Sequence, residues 1–305
     1  MITDFKNKTA VLTGAGSGFG LECARIAAAR GMNIVMVDVQ QDALDKAVAE
    51  ITAMGEKTGT EVLAMRVDVA SAEAMKALAD AVLARFGAPH FVFNNAGVGA
   101  GGLIWESSLL DWKWVMDVNV MGVVHGVHFF TQMMLDAAKK DAAYQGHIVN
   151  TASMAGLLNP PNMGVYNVSK SAVVSLTESL YQDLRLVTDQ ISASVLCPFF
   201  VPTNITQSQR NRPTELSGGK LTKSQLIGQA QSDKAVGSGK LTAADVANAV
   251  FAALEADRFY IYSHPHALAG VQDRMEDLVL IRNPTDPFKS KPEIRAKLKA
   301  ALRAE

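Results

Sequence analysis

Short apolar runs alternate with amphipathic stretches along the first half of the chain. KTAVLT (8–13), NIVMVDV (33–39), EVLAMRVDV (61–69) and PHFVFNNAG (89–97) are rich in Val and Phe and close on turn-forming polar residues. Helical spacing fills the gaps at 21–30, 42–54 and 72–86, where Met75, Leu78, Ala79, Val82 and Phe86 repeat at helical intervals behind a Ser71 N-cap. Strands alternating with helices of this length predict βαβ units, and near-continuous apolar strands predict a parallel sheet covered on both faces. The second half continues more loosely. It predicts a long helix over 108–138, a strand over 146–153, a helix over 165–187, a strand over 191–198, a helix over 242–256 and a seventh strand over 258–263. The expected fold is α/β: a single-domain Rossmann fold with a doubly wound, seven-stranded parallel sheet. That domain spans 1–263 and includes a polar stretch, 203–240, too long for a plain loop and read as a lid. Residues 264–305 form a tail with an apolar patch at 271–281 and a basic final helix, expected to pack on or between subunits.

Composition narrows the function. The chain has 305 residues, and 29 Lys+Arg balance 30 Asp+Glu, giving a net charge of −1, so no basic excess points to nucleic acid or an anionic membrane. Two cysteines, Cys23 and Cys197, make neither a disulfide framework nor a Cys-rich metal site. No signal-peptide pattern opens the chain. Residues 118–135 carry no formal charge, but Asn119, His125, His128, Thr131 and Gln132 make a membrane span unfavourable. A cytoplasmic protein is expected. Charged residues are only 19% of the chain, which suggests surface buried between subunits. His125 and His128 have no acidic or Cys neighbours to complete a metal site and read as core or interface residues.

Two constellations carry chemistry. Thr13-Gly14-Ala15-Gly16-Ser17-Gly18-Phe19-Gly20 follows the first strand and opens a helix, the order that lets a backbone approach a pyrophosphate. Asp38 ends the second strand, where its carboxylate accepts from ribose hydroxyls and repels a 2′-phosphate. Val39, Gln40 and Ser17 supply no cation, so NAD is expected over NADP. Ser153 lies at the end of the fifth strand, and Tyr166 and Lys170 follow within Y-N-V-S-K. On a helix, positions i and i+4 share a face, so an ammonium stands near a phenol and favours its ionised form. Tyr166 is thereby a candidate general acid/base.

These motifs together resemble the short-chain dehydrogenase/reductase family: TGAGSGFG as the cofactor turn, Asn94-Asn95-Ala96-Gly97 after the fourth strand, Asn119 within DVNVMG, and Ser153 with Tyr166 and Lys170. The resemblance implies a catalytic set of Asn119, Ser153, Tyr166 and Lys170. It implies cofactor contacts from Gly14, Ser17, Gly18, Phe19, Gly20, Asp38, Asp68, Val69, Asn95, Ala96, Gly97, Tyr166, Lys170, Val201 and Thr203. It implies a homotetramer or homodimer joined through the 108–138 and 165–187 helices. Where the family has Pro-Gly after the sixth strand, this chain has Pro198-Phe199. Apolar segments around Trp105, Met154, Leu157, Leu158, Met163, Phe199 and Phe200 suit a hydrophobic secondary alcohol or its ketone. Lid cations Arg210, Arg212 and Lys220 read as solvated. The alternative is a non-catalytic NAD(H)-binding module of the same fold.

Overall fold

The structure is a computed structural model that describes residues 2–217 and 219–304. Seven parallel strands form one sheet in the order β3-β2-β1-β4-β5-β6-β7. They are β1 Thr9–Thr13, β2 Asn33–Asp38, β3 Val62–Arg66, β4 Phe91–Asn94, β5 Gly146–Thr151, β6 Ile191–Cys197 and β7 Tyr260–Tyr262. Val11 pairs with Val35 on one side and Val92 on the other, so β1 lies mid-sheet. Its residues are buried on both faces, as a covered parallel sheet requires. Ala10 and Leu12 pack with α1 (Gly18–Ala29), α2 (Gln41–Gly55) and α9 (Ala243–Ala256). Val11 packs on the opposite face with α3 (Ala72–Phe86), α5 (Gly122–Lys140) and the end of α7 (Gly164–Val187).

The expected 108–138 helix is one rod with a flaw in its middle. α4 (Leu109–Met116) starts with a Ser108–Asp111 capping box, passes through a π-helical turn at Asp117–Met121 and continues as α5. A π turn inserts a residue and rotates the remainder of the helix, and here it carries Asn119 into full burial. The 203–240 stretch holds more structure than its composition suggested. It has 3₁₀ turns at Asn204–Asn211 and Thr214–Leu216 and a helix, α8 (Lys223–Gly237), begun by a Thr222–Gln225 capping box. A short α6 (Met154–Leu158) follows β5. The tail forms α10 (Leu268–Val279), which lies against α6, and α11 (Pro292–Arg303), which lies against α8. Among the described residues, no helix is long and apolar enough to cross a membrane.

Candidate active site

Strand order reverses between β1 and β4, and the loops leaving the carboxyl ends of those strands part to leave a crevice. The glycine turn lies in its floor. Gly14 adopts φ +66°, a left-handed conformation that costs an L side chain about 1–2 kcal/mol. Gly20 fits because a Cβ there would come within 2.2 Å of the Gly14 carbonyl oxygen. The α1 N-terminus has no side-chain cap and no acid in its first turn, so its N–H groups face the crevice unanswered. That is the arrangement a pyrophosphate fits. Thr13 braces the turn against β4: its Oγ1 accepts from the N–H groups of Asn95 (2.9 Å) and Ala96 (3.0 Å), while Asn95 Nδ2 donates to the Thr13 carbonyl (3.0 Å). Nothing in the spacing of the motif announced this role for Thr13.

Asp38 is held beside the glycine turn. Its two oxygens accept from the N–H groups of Gly16 (2.9 Å) and Gln40 (3.0 Å). A carboxylate offers about four lone-pair positions, so capacity for two hydroxyls remains. Folding also brings cations that the neighbours of Asp38 in sequence do not supply. Arg210 donates from Nε to Gln40 Oε1 (3.0 Å), and Arg66 donates from Nε to the Val39 carbonyl (3.0 Å). Arg212 departs from the solvated reading. It is buried in an ion pair with Asp111 (2.6 Å) and lies 5.1 Å from the Trp114 ring centroid, fastening the lid to α4. Burial pushes the Asp111 carboxyl up, but Arg212 and the Ser108 cap outweigh it and hold it low.

Ser153, Tyr166 and Lys170 converge on the other end of the crevice. Ser153 is the N-cap of α6: its Oγ accepts from Ala155 N–H (3.1 Å) and donates to the Pro198 carbonyl (3.4 Å). Tyr166 and Lys170 project from the first turns of α7. The Lys170 ammonium donates to the Thr151 carbonyl (2.8 Å) and lies 5.7 Å from the Tyr166 ring centroid. Burial pushes Lys170 down to about 8. Burial also pushes the Tyr166 phenol up, and in this arrangement the opposing influence is the Ser153 hydroxyl, not Lys170. Asn119 stands behind the crevice rather than in its wall. Its Oδ1 accepts from Val98 N–H (2.8 Å), and its Nδ2 donates to the Val98 carbonyl (3.0 Å) and to Ser169 Oγ (3.1 Å). The space beside Gly97 is shared by Asn119 Oδ1 and Lys170 Nζ.

Gly14, Ser17, Gly18, Phe19, Asp38, Asp68, Val69, Asn95, Ala96, Gly97, Val201 and Thr203 all line one cleft of about 2300 Å³ with Ser153, Tyr166 and Lys170. Gly20 lies outside it, packed against the turn. Phe199 has a negative φ, so no glycine is required there, and its ring meets Phe200 (4.5 Å between centroids) and His264 (5.8 Å). His125 is buried with Nδ1 against the Val69 carbonyl (2.9 Å). Among the described residues, no cluster of His, Cys, Asp or Glu is arranged to hold a metal ion.

The sheet order, the glycine turn and this polar cluster define a dinucleotide-dependent oxidoreductase. Residues 8–214 match the short chain dehydrogenase family, and the chain belongs to it. It is 52% identical to a short chain dehydrogenase/reductase from Burkholderia phymatum solved in complex with NAD, with a TM-score of 0.89 over 94% of this chain and 99% of that one. It is 34% identical over 280 residues to the CLA biosynthesis dehydrogenase/reductase of Lactiplantibacillus plantarum, covering 90% of this chain and 94% of the relative. It is 38% identical over 180 residues to the cyclohexanol dehydrogenase of an Acinetobacter species, covering 59% and 68% respectively.

Proposed function

We propose that the protein interconverts a hydrophobic secondary alcohol and its ketone with NAD, using Ser153, Tyr166 and Lys170 for proton transfer. The observation that carries this reading is their convergence beside the glycine turn in one cleft. The nicotinamide supplies a hydride acceptor or donor when bound. The residues of this chain do the rest. Ser153 donates to the substrate oxygen and fixes its position. Tyr166 exchanges the proton with that oxygen, and Lys170 would hold the nicotinamide ribose. The Lys170 ammonium lies 5.7 Å from the phenol ring centroid, and the Ser153 hydroxyl counters the burial that opposes ionisation of Tyr166. Asn119 positions the Val98 backbone and, with Lys170, flanks the space beside Gly97, where a water would link the ammonium toward solvent.

NAD is the cofactor in this reading because the Asp38 carboxylate, held at the end of β2 beside the glycine turn, would accept from the adenosine ribose hydroxyls and repel a 2′-phosphate. Substrate class follows from the apolar wall at Trp105, Leu158, Met163, Phe199 and Phe200, and from the alcohol named for the Acinetobacter relative. Helices α4–α5 and α7 form the subunit interface of a dimer or tetramer. The test is initial-rate kinetics on cyclic and aromatic secondary alcohols with each cofactor. NAD is expected to give the higher kcat/KM. Equal or better efficiency with NADP contradicts the cofactor assignment. Tight NADH binding with no turnover across the panel favours the non-catalytic module.

A further inference from the structure

The tail helix α10 brings a guanidinium to the substrate end of the cleft. Its first turns place Leu268 and Val271 against the same apolar cluster as Leu158 and Phe199, a cluster that includes Met154 and Leu157 of α6. One turn on, Arg274 lines the cleft, half-buried, and donates from Nη1 to the Leu157 carbonyl (3.0 Å) at the end of α6. That bond answers a helix-terminal carbonyl, but it uses one of five N–H donors in a planar fork. Unlike three other cations of the tail, Arg274 has no acid partner among the described residues. Arg282, Lys289 and Arg295 pair with Asp277 (3.1 Å), Asp273 (2.6 Å) and Asp286 (2.6 Å). The carboxylates nearest to Arg274 in sequence, Asp273 and Asp277, are therefore already held by other cations. Among the described residues none pairs with Arg274.

We propose that Arg274 is a substrate-specificity residue that binds a carboxylate, so that the preferred substrate is a hydrophobic hydroxy acid or keto acid. The proposal rests on the oxidoreductase reading and names the substrate class of the same site. Geometry sets the length. Leu157 is four residues along α6 from Ser153, about 6 Å of helical rise, and the carbonyl and hydrogen bond extend this to on the order of 10 Å. The reacting alcohol carbon and the carboxylate are thus separated by about eight carbon–carbon bonds in an extended chain, with the apolar wall between them. A guanidinium fork suits a carboxylate because two parallel N–H groups meet its two oxygens.

The test compares 9-hydroxydecanoate, its methyl ester and cyclohexanol in the wild type, Arg274→Gln and Arg274→Lys. The wild type is expected to favour the acid over the ester. Arg274→Gln is expected to raise KM for the acid about tenfold to a hundredfold, the range of a lost charge-assisted hydrogen bond, with kcat within about twofold. KM for the ester and for cyclohexanol stays within about twofold, and Arg274→Lys, which keeps the charge without the fork, recovers only part of the loss for the acid. Equal use of acid and ester by the wild type overturns the anchor and leaves the oxidoreductase reading standing. So does an Arg274→Gln defect that falls equally on all three alcohols, since that is the mark of a purely structural cap on α6. No turnover of any of the three by the wild type overturns both readings.

Discussion

The two ends of the cleft are built differently. The nucleotide end is made by one contiguous turn, Thr13 to Gly20, and by strand-end residues a short distance away, and it acts largely through backbone groups. The substrate end is assembled from β5–α6, α7, the lid and the tail, and it acts through side chains whose partners lie far apart in the chain. Arg274 and the Leu157 carbonyl that it meets are separated by 117 residues. A backbone-built site is fixed by local conformation and leaves a local motif. A site built from side chains of distant segments takes its shape from packing, so it varies easily and leaves no motif.

Substitutions at the two ends should therefore separate cofactor binding from turnover and lid stability. Apart from Tyr166, the largest effect is expected at Lys170. Lys170→Met should lower kcat by about a hundredfold or more, as loss of support for general acid–base catalysis does. It should also raise Tm by about 2–4 °C, because a buried ammonium is removed. The sign follows from its pKa of about 8, depressed by burial from 10.5. Between those values the unfolded chain binds the extra proton, so Lys170 makes stability rise with pH, and the variant should lose that slope. Next, Asp111→Ala leaves Arg212 buried without its acid, at a cost of about 3 kcal/mol or more. Limited proteolysis should then cut within 203–240, and a variant lid as resistant as the wild type would separate the ion pair from lid closure.

Gly14→Ala tests the nucleotide end. Forcing a Cβ into φ +66° against Asn95 and Ala96 should weaken NADH binding about tenfold by fluorescence titration, with little change in the KM for alcohol. The smallest effect at neutral pH concerns the opposite rim of the sheet. His90 and His147 are pushed down to about 4 by burial and fold as neutral rings. Because these folded values lie below the ordinary 6.5, their contribution is intact above that pH and is lost as pH falls toward 4. Tm measured across that interval should fall more steeply for the wild type than for a His147→Gln variant.

Much of the fold was legible because period and punctuation encode it. The seven strands fall within the apolar runs, and α3 spans the stretch from Ala72 to Phe86 that its spacing and the Ser71 cap predict. The cofactor turn and the Ser153, Tyr166 and Lys170 set were legible because each sits at a fixed offset on a strand end or helix. The π turn at Asn119 was not, since one inserted residue barely disturbs an apolar pattern. Nor was α8, whose polar composition shows little apolar face and which is marked chiefly by its capping box. Arg66 and Arg210 reach the Asp38 end from β3 and the lid, which no reading of its sequence neighbours reveals.

The central claim is that Tyr166 moves the proton while the rest of the cleft binds the cofactor. It is tested most directly by comparing wild type and Tyr166→Phe for NADH formation from a secondary alcohol and for NADH binding by fluorescence. The account predicts that turnover falls by about a thousandfold or more, with the NADH dissociation constant changed by less than about threefold. Near-normal turnover by Tyr166→Phe would contradict it.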